Sequence, residues 1–345
     1  MRVLIDEHGR AVGDPVPAGL LDGYRELVLA RRLNDVASAL VRQGRLAVYP
    51  SSHGQEACQV AAARVLGDGD WLFPTYRDGA AIVARAVDPV EVLAMLSGDW
   101  HCGYDPTVSH VAPQATPLAT QLLHAVGVGH AARLKGEPTV VMALCGDGAT
   151  SEGDFHEALN FAAVFRAPVV FLVQNNKYAI SVPLARQTAA ESLAAKAVGY
   201  GMPGEQVDGN DLAALLVVLG AAVERARSGG GPTLVEADTY RVQAHTNADD
   251  PTRYRTDDEV QPWRARDPLL RLRTHLVATG ELDDEREAAF AAEAERLAEH
   301  VRAGMNAEPA TDPTELFAHV YAAPTPQLAE QRAVLAAELE LEGTR

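Results

Sequence analysis

Two short polar clusters, each closing an apolar run, hold residue types that could bind a phosphorylated ligand. Residues 139–144 (TVVMAL) lead into Gly146-Asp147-Gly148, and residues 168–173 (PVVFLV) lead into Gln174-Asn175-Asn176. An aspartate between two glycines exposes its carboxylate and lets a ligand approach the backbone closely. The helix expected over 152–166 begins near Ser151-Glu152 and offers free N–H groups and a positive dipole end to an anion. A carboxylate and an amide oxygen on neighbouring strand ends can share one hard cation. Magnesium takes oxygen ligands and is often completed by phosphate oxygens, so the pair reads as Mg²⁺ plus diphosphate. Singly, Asp-Gly and Asn are ordinary turn residues. Separated by one helix and one strand, about 30 residues apart, they form a far more specific pattern.

The elements that position these clusters follow from periodicity. A third apolar run, 233–237 (TLVEA), joins the first two. Apolar strands separated by helices imply an α/β architecture with a mostly parallel sheet covered by helices on both faces. Ligands in such sheets bind beyond the carboxyl ends of the strands, where both polar clusters fall. Helical spacing marks 18–43 and 54–66, and Asp88-Pro89 marks a capped helix start. Pro117 opens a helix to about residue 135, and two helices are expected over 267–279 and 283–303. Residues 98–116 are irregular, and the tail from 306 is rich in proline. The expected division is an N-terminal arm and helix (1–45), a cofactor-binding α/β domain (46–265), and C-terminal helices with a tail (266–345).

Bulk properties exclude several classes. The chain has 345 residues, 47% of them hydrophobic, enough for a sizeable core. A net charge of −17 argues against nucleic acid, whose phosphates need clustered Lys and Arg. Cys58, Cys102 and Cys145 are spaced for neither zinc nor a disulfide framework. MRVLIDEHGR holds no apolar stretch of signal-peptide length, and no run reaches a membrane span, so the expected location is cytoplasmic. No GxGxxG follows a strand, which disfavours a dinucleotide-binding oxidoreductase.

The GDG-to-NN arrangement resembles the thiamine diphosphate motif. The stretch 146–181 is similar to the alpha subunits of pyruvate and branched-chain 2-oxo acid dehydrogenases, which share GDG-x3-EG and NN-x-x-AIS. Matching segments include 53–57 (HGQEA), 73–79 (FPTYRDG), 116–121 (TPLATQ) and 240–255 (YRVQAHTNADDPTRYR). Together they cover most of residues 20–270, in order. The resemblance implies a thiamine-diphosphate-binding fold with helical N- and C-terminal extensions.

It also implies roles. Asp147, the Asn176 side chain and the Tyr178 carbonyl would bind Mg²⁺. Tyr76 and Arg77 would hold the diphosphate, Arg through its planar fork. Gly148 and Ala149 would offer backbone donors. Thr116 and Leu118 would flank the cofactor's rings, with Leu118 holding it bent. His245 would serve acid-base chemistry, and His53 matches pyruvate-type members. Thr246 falls where mitochondrial relatives carry a regulatory phosphoserine and is expected to be unmodified. The reaction implied is oxidative decarboxylation of a 2-oxo acid, with the acyl group passed to a lipoyl group on the acyltransferase component. The glutamate that activates thiamine comes from a beta subunit in this family, so an alpha-2 beta-2 heterotetramer is expected.

The chain departs from the family pattern before residue 116. In place of a GRxMPxH-like segment it has Asp99-Trp-His-Cys-Gly-Tyr-Asp105, then Ser109-His110, with His101 as a stand-in for the usual histidine. Gln174 stands where some relatives have Arg. The pattern DDxxRYR looks like branched-chain members, and HGQEA like pyruvate members. The expected substrate is a branched-chain 2-oxo acid. Pyruvate and acetoin dehydrogenase alpha subunits are the alternatives, and a non-catalytic scaffold paralogue is a distant third.

Overall fold

The computed structural model describes residues 1–98, 102–307 and 313–343. In chain order, α1 is Leu20–Arg42, α2 Glu56–Arg64, β1 Trp71–Phe73, α3 Gly79–Ala84, α4 Pro89–Ser97, α5 Pro106–Ser109 and α6 Thr120–Lys135. Then come β2 Val141–Gly146, α7 Gly153–Phe165, β3 Val169–Asn175, β4 Tyr178–Ala179, β5 Val182–Pro183, β6 Gly204–Asp208, α8 Leu212–Arg227 and β7 Thr233–Asp238. The chain closes with α9 Asp257–Ala265, α10 Pro268–Ala278, α11 Asp284–Asn306 and α12 Pro326–Gly343. Residues Met1–Met305 form one compact unit and Asn306–Arg345 a second.

Among the described residues, five strands form a parallel sheet in the order β1-β2-β3-β7-β6. The α/β class and parallel sheet expected from the apolar runs are what the fold shows. Alternation along each strand divides the core in two. Met142, Leu144, Val170 and Leu172 join one cluster with α1, α2, α3 and α8 residues. Val141, Ala143, Cys145, Val169, Phe171 and Val173 join a second cluster with α6 and α7 residues. Both sheet faces are therefore covered, which is why these strands read as continuous apolar runs.

Register brings the polar strand ends together. Gly146 on β2 pairs with Gln174 on β3, and Asn175 on β3 pairs with Asp238 on β7. Helix starts follow local chemistry. Asp88 accepts from Val90 N with Pro89 in the first turn, and Asp211 accepts from Ala214 N at the start of α8. Asp211 also takes Leu4 N and Ile5 N at 2.6 and 2.8 Å, tying the N-terminal arm to the sheet domain.

Three features differ from the sequence reading. Residues 111–115 run beside β1, with Val111 bridged to Leu72 and Ala115 to Thr75. The stretch between β5 and β7, to which the sequence reading assigns no element, contains β6 and α8. The tail holds the helix α12, although Pro309 lies outside the described residues.

Candidate active site

A cavity of about 440 Å³ opens beyond the carboxyl ends of β2 and β3. Tyr76, Arg77, Leu118, Asp147, Gly148, Ala149, Asn176, Tyr178 and His245 all line it. Of the residues singled out for cofactor or catalysis, Thr116 does not. It is exposed, while its neighbours Ala115, Pro117 and Leu118 face the cavity.

Asp147 leaves β2 into a short 3₁₀ turn that runs to Ser151. Its side chain is buried, and its Oδ2 accepts from Gln187 Nε2 at 2.7 Å. Burial pushes this carboxyl above the usual carboxylate range, against the opposing hydrogen bond from Gln187. A cation at Oδ1 would reverse that shift. Gly148 must be small, because a Cβ there would lie 2.7 Å from Ala179 Cβ.

Asn176 Nδ2 donates to Gln55 Oε1 at 3.1 Å, and its Oδ1 accepts from Tyr178 N at 3.3 Å. The same side-chain atom lies 3.1 Å from Tyr178 O and 3.2 Å from Asp147 Oδ1. With the amide turned over, its nitrogen would donate to both. With oxygen there, three oxygens converge with no donor between them. Oxygens at neighbouring corners of a magnesium octahedron lie about 3 Å apart, given metal–oxygen distances near 2.1 Å. The three groups could therefore hold a hard cation.

The anion side of the cavity is built from arginines. Arg77 is buried; its Nη1 donates to Ser51 O at 2.9 Å and its Nη2 to His245 O at 3.0 Å. Burial lowers its pKa. Arg241, buried at the start of the following loop, donates to Tyr178 O at 3.2 Å and to Ile180 O at 2.6 Å. Among the described residues its Nε has no hydrogen-bond partner, nor have Gln55 Nε2 and Gln187 Oε1, all at the cavity wall. Two of these three orphans are donors, and buried donors without partners call for an acceptor ligand.

His245 sits between the two arginines. Its Nδ1 lies 3.1 Å from Arg77 Nη2 and 3.3 Å from Arg241 Nη1, so it accepts. Burial, then Arg77 and Arg241, push its pKa down to about 4, with Asp249 opposing. A neutral imidazole that keeps its proton on Nε2 is the result.

Some sequence candidates lie elsewhere. His53 is outside the cavity wall, with Nε2 3.8 Å from Asp267. His110 packs on Trp71 at 5.3 Å, at the opposite end of β1 from the cavity. His101 lies outside the described residues. Gln174 lines the cavity but turns its amide to Asp78 at 2.7 Å. Arg241, Gln55 and Gln187 were missed. The first two lie inside the matched segments 240–255 and 53–57, which was the available signal; nothing local marks Gln187.

A family model described as the dehydrogenase E1 component matches residues 24–314. The chain belongs to this dehydrogenase E1 family. It is 49% identical over 316 residues to a Mycobacterium tuberculosis protein named 3-methyl-2-oxobutanoate dehydrogenase subunit alpha, covering 92% of this chain and 86% of the relative. It is 40% identical over 291 residues to a Staphylococcus aureus pyruvate dehydrogenase E1 component subunit alpha, covering 82% of this chain and 78% of the relative. The resemblance drawn from GDG-to-NN and its companion segments is thus the family found. Membership among E1 alpha subunits implies thiamine diphosphate as cofactor, and a beta subunit and further complex components as partners. Among the described residues, no helix is long and apolar enough to cross a membrane.

Proposed function

We propose that this E1 alpha chain binds Mg²⁺ and thiamine diphosphate and takes part in oxidative decarboxylation of a branched-chain 2-oxo acid of the 3-methyl-2-oxobutanoate type. The single observation behind the site assignment is the convergence of the Asp147, Asn176 and Tyr178 oxygens beside Arg77 and Arg241 in one cavity. The substrate assignment rests on the relative at 49% identity against the pyruvate-type relative at 40%. The DDxxRYR pattern at 249–255 points the same way.

The roles divide by chemistry. Asp147, Asn176 and the Tyr178 carbonyl hold the cation. Tyr76, Arg77, Arg241, Gly148 and Ala149 hold the diphosphate. Leu118 and the segment around Thr116 support the rings. When bound, thiamine diphosphate would supply the electron sink that takes up the bonding pair left behind as CO₂ departs. His245 presents a protonated Nε2 to the reacting groups, with Arg77 and Arg241 fixing that tautomer. General acid-base work of this kind contributes about 10²–10⁴-fold to rate.

The cavity mouth is rimmed by Leu118, Ile180 and Val182, which are 42%, 56% and 42% exposed. Three exposed apolar side chains around a polar cavity suit cover by another chain. We assign that cover to the beta subunit, in an alpha-2 beta-2 heterotetramer in the cytoplasm that passes its acyl group to the lipoyl acyltransferase.

The test is 2-oxo acid-dependent dye reduction by this chain with its cognate beta subunit, Mg²⁺ and thiamine diphosphate. Turnover is expected with 2-oxoisovalerate ahead of pyruvate and acetoin. Preference for pyruvate would overturn the substrate assignment. Silence on all three with cofactor bound would overturn the catalytic one.

A further inference from the structure

Glu259, in the first turn of α9, accepts hydrogen bonds from two tyrosines that leave different strand ends. Tyr178 Oη donates to Oε1 at 2.8 Å and Oε2 at 3.0 Å, and Tyr240 Oη donates to Oε1 at 2.9 Å. A carboxylate is an acceptor-only group with two oxygens, so it suits two hydroxyl donors at once. Tyr178 sits in the β4–β5 hairpin, and its carbonyl is one of the three converging oxygens. Tyr240 follows β7 and directly precedes Arg241.

The surroundings show what this bridge fastens. Tyr240 stacks on Trp263, one turn along α9, with ring centroids 5.4 Å apart and planes 13° apart. Val260 is buried with the two tyrosines in a small core of their own. The Arg255 guanidinium lies 5.3 Å over the Tyr240 ring. It also donates to the carbonyls of Arg241, Val242 and Gln243. The segment 241–256 therefore begins and ends on one aromatic cluster, with His245 between the two ends. Glu259 gives that cluster its hydrogen-bonded link to the Tyr178 side chain. Arg241 in turn donates to the Tyr178 carbonyl.

We propose that Glu259 is a positioning residue that couples the Tyr178 carbonyl, as cation ligand, to the order of the 241–256 segment. Segment order and cofactor affinity then rise and fall together through this one side chain. The inference rests on the reading of Tyr178 as a cation ligand. Glu259 is itself exposed on its outer side, so its loss leaves the sheet core untouched.

The experiment uses the full chain with its beta subunit and the variants Glu259→Ala, Glu259→Gln, Tyr178→Phe and Glu259→Ala/Tyr178→Phe. Two readouts are needed. One is the rate of tryptic cleavage after Arg241 and Arg255, both buried, without cofactor. The other is thiamine diphosphate affinity at fixed Mg²⁺ by calorimetry. Glu259→Ala should speed cleavage and weaken affinity about tenfold, as outer-shell substitutions at metal sites do. Glu259→Gln keeps an acceptor oxygen and should recover most of both. The double variant should be no worse than the worse single one, because both remove the same link. Wild-type cleavage and affinity in Glu259→Ala, or losses that simply add in the double variant, would overturn the proposal. If the wild-type chain binds no thiamine diphosphate, the cofactor reading fails and the coupling to the cation fails with it. Cleavage would then decide only whether Glu259 orders the segment.

Discussion

Arg77 holds His245 at two atoms: Nη2 lies 3.1 Å from the ring Nδ1 and 3.0 Å from the carbonyl oxygen of the same residue. The two bonds fix ring orientation and backbone together. They also forbid a proton on Nδ1, since a guanidinium only donates. The imidazole is therefore held neutral by its position between two cations rather than by burial alone.

A titration follows. His245 should remain neutral down to about pH 4 and show the Nε2-protonated tautomer. The unfolded chain would titrate this histidine near 6.5. Between about 6.5 and 4, the unfolded state therefore binds a proton that the folded state refuses. Stability should fall as pH drops through that window and be unaffected by this group above it. Nitrogen-15 spectra of labelled histidine check both points. An ordinary midpoint near 6.5, or a proton on Nδ1, would sink the assignment.

The oxygen cluster gives a graded prediction. Asp147→Ala should lower Mg²⁺-dependent thiamine diphosphate affinity by about 100-fold or more, since it removes a ligand outright. Gln187→Ala only frees the Asp147 carboxylate to rotate and should lose about 10–100-fold. Calorimetry with and without Mg²⁺ reads both. Equal affinity for wild type and Asp147→Ala would remove the cation from this position.

How much of this the sequence discloses depends on how local each signal is. The β2 and β3 runs are legible because a strand buried on both faces must be apolar throughout, and Asp147 and Asn176 are legible because they close those runs. The edge strand β6 (GEQVD) is half solvated and shows no apolar run. Residues 111–115 pair with β1 through isolated bridges and show none either. The helix α12 sits among prolines that mask its helical composition. Gln187 meets Asp147 across 40 residues of chain, a contact set by the β4–β5 hairpin and not by any pattern near either residue. The 241–256 segment is legible only through family resemblance, because an irregular polar stretch has no periodicity to read.

Gly54 is a close-approach glycine with a directional test. Its φ is +97°, and a Cβ there would run into the carbonyl oxygen of Tyr240 and lie 2.9 Å from Val242 Cγ2. Thr239 Oγ1 also donates to Gly54 O at 2.7 Å, so a retreat of this backbone would strain a buried hydrogen bond. Gly54→Ala should destabilise the chain by about 3 kcal/mol, from left-handed backbone strain and overpacking together. Since the displaced atoms belong to residues 240–242, which follow β7 and include Arg241, cofactor affinity should fall with it. A chemical denaturation midpoint unchanged from wild type would show that the neighbours yield freely.

Arg271 offers the complementary test on the N-terminal arm. It is 3% exposed; its Nε donates to Ile5 O at 2.8 Å and its Nη1 to Asp208 Oδ2 at 2.8 Å. Asp208 ends β6, and Arg2 bridges to the neighbouring Val207, so one guanidinium joins arm, edge strand and α10. Arg271→Met keeps the stem but leaves Asp208 and the Ile5 carbonyl without their donor. Breaking a buried pair from one side costs about 3–5 kcal/mol. The loss should appear first as local release of the arm: amide exchange at Leu4 and Ile5 should quicken before the sheet strands do, although Asp211 still accepts from both. Uniform quickening across β2 and β3 would mean that the arm is part of the global folding unit and not a strap held on by Arg271.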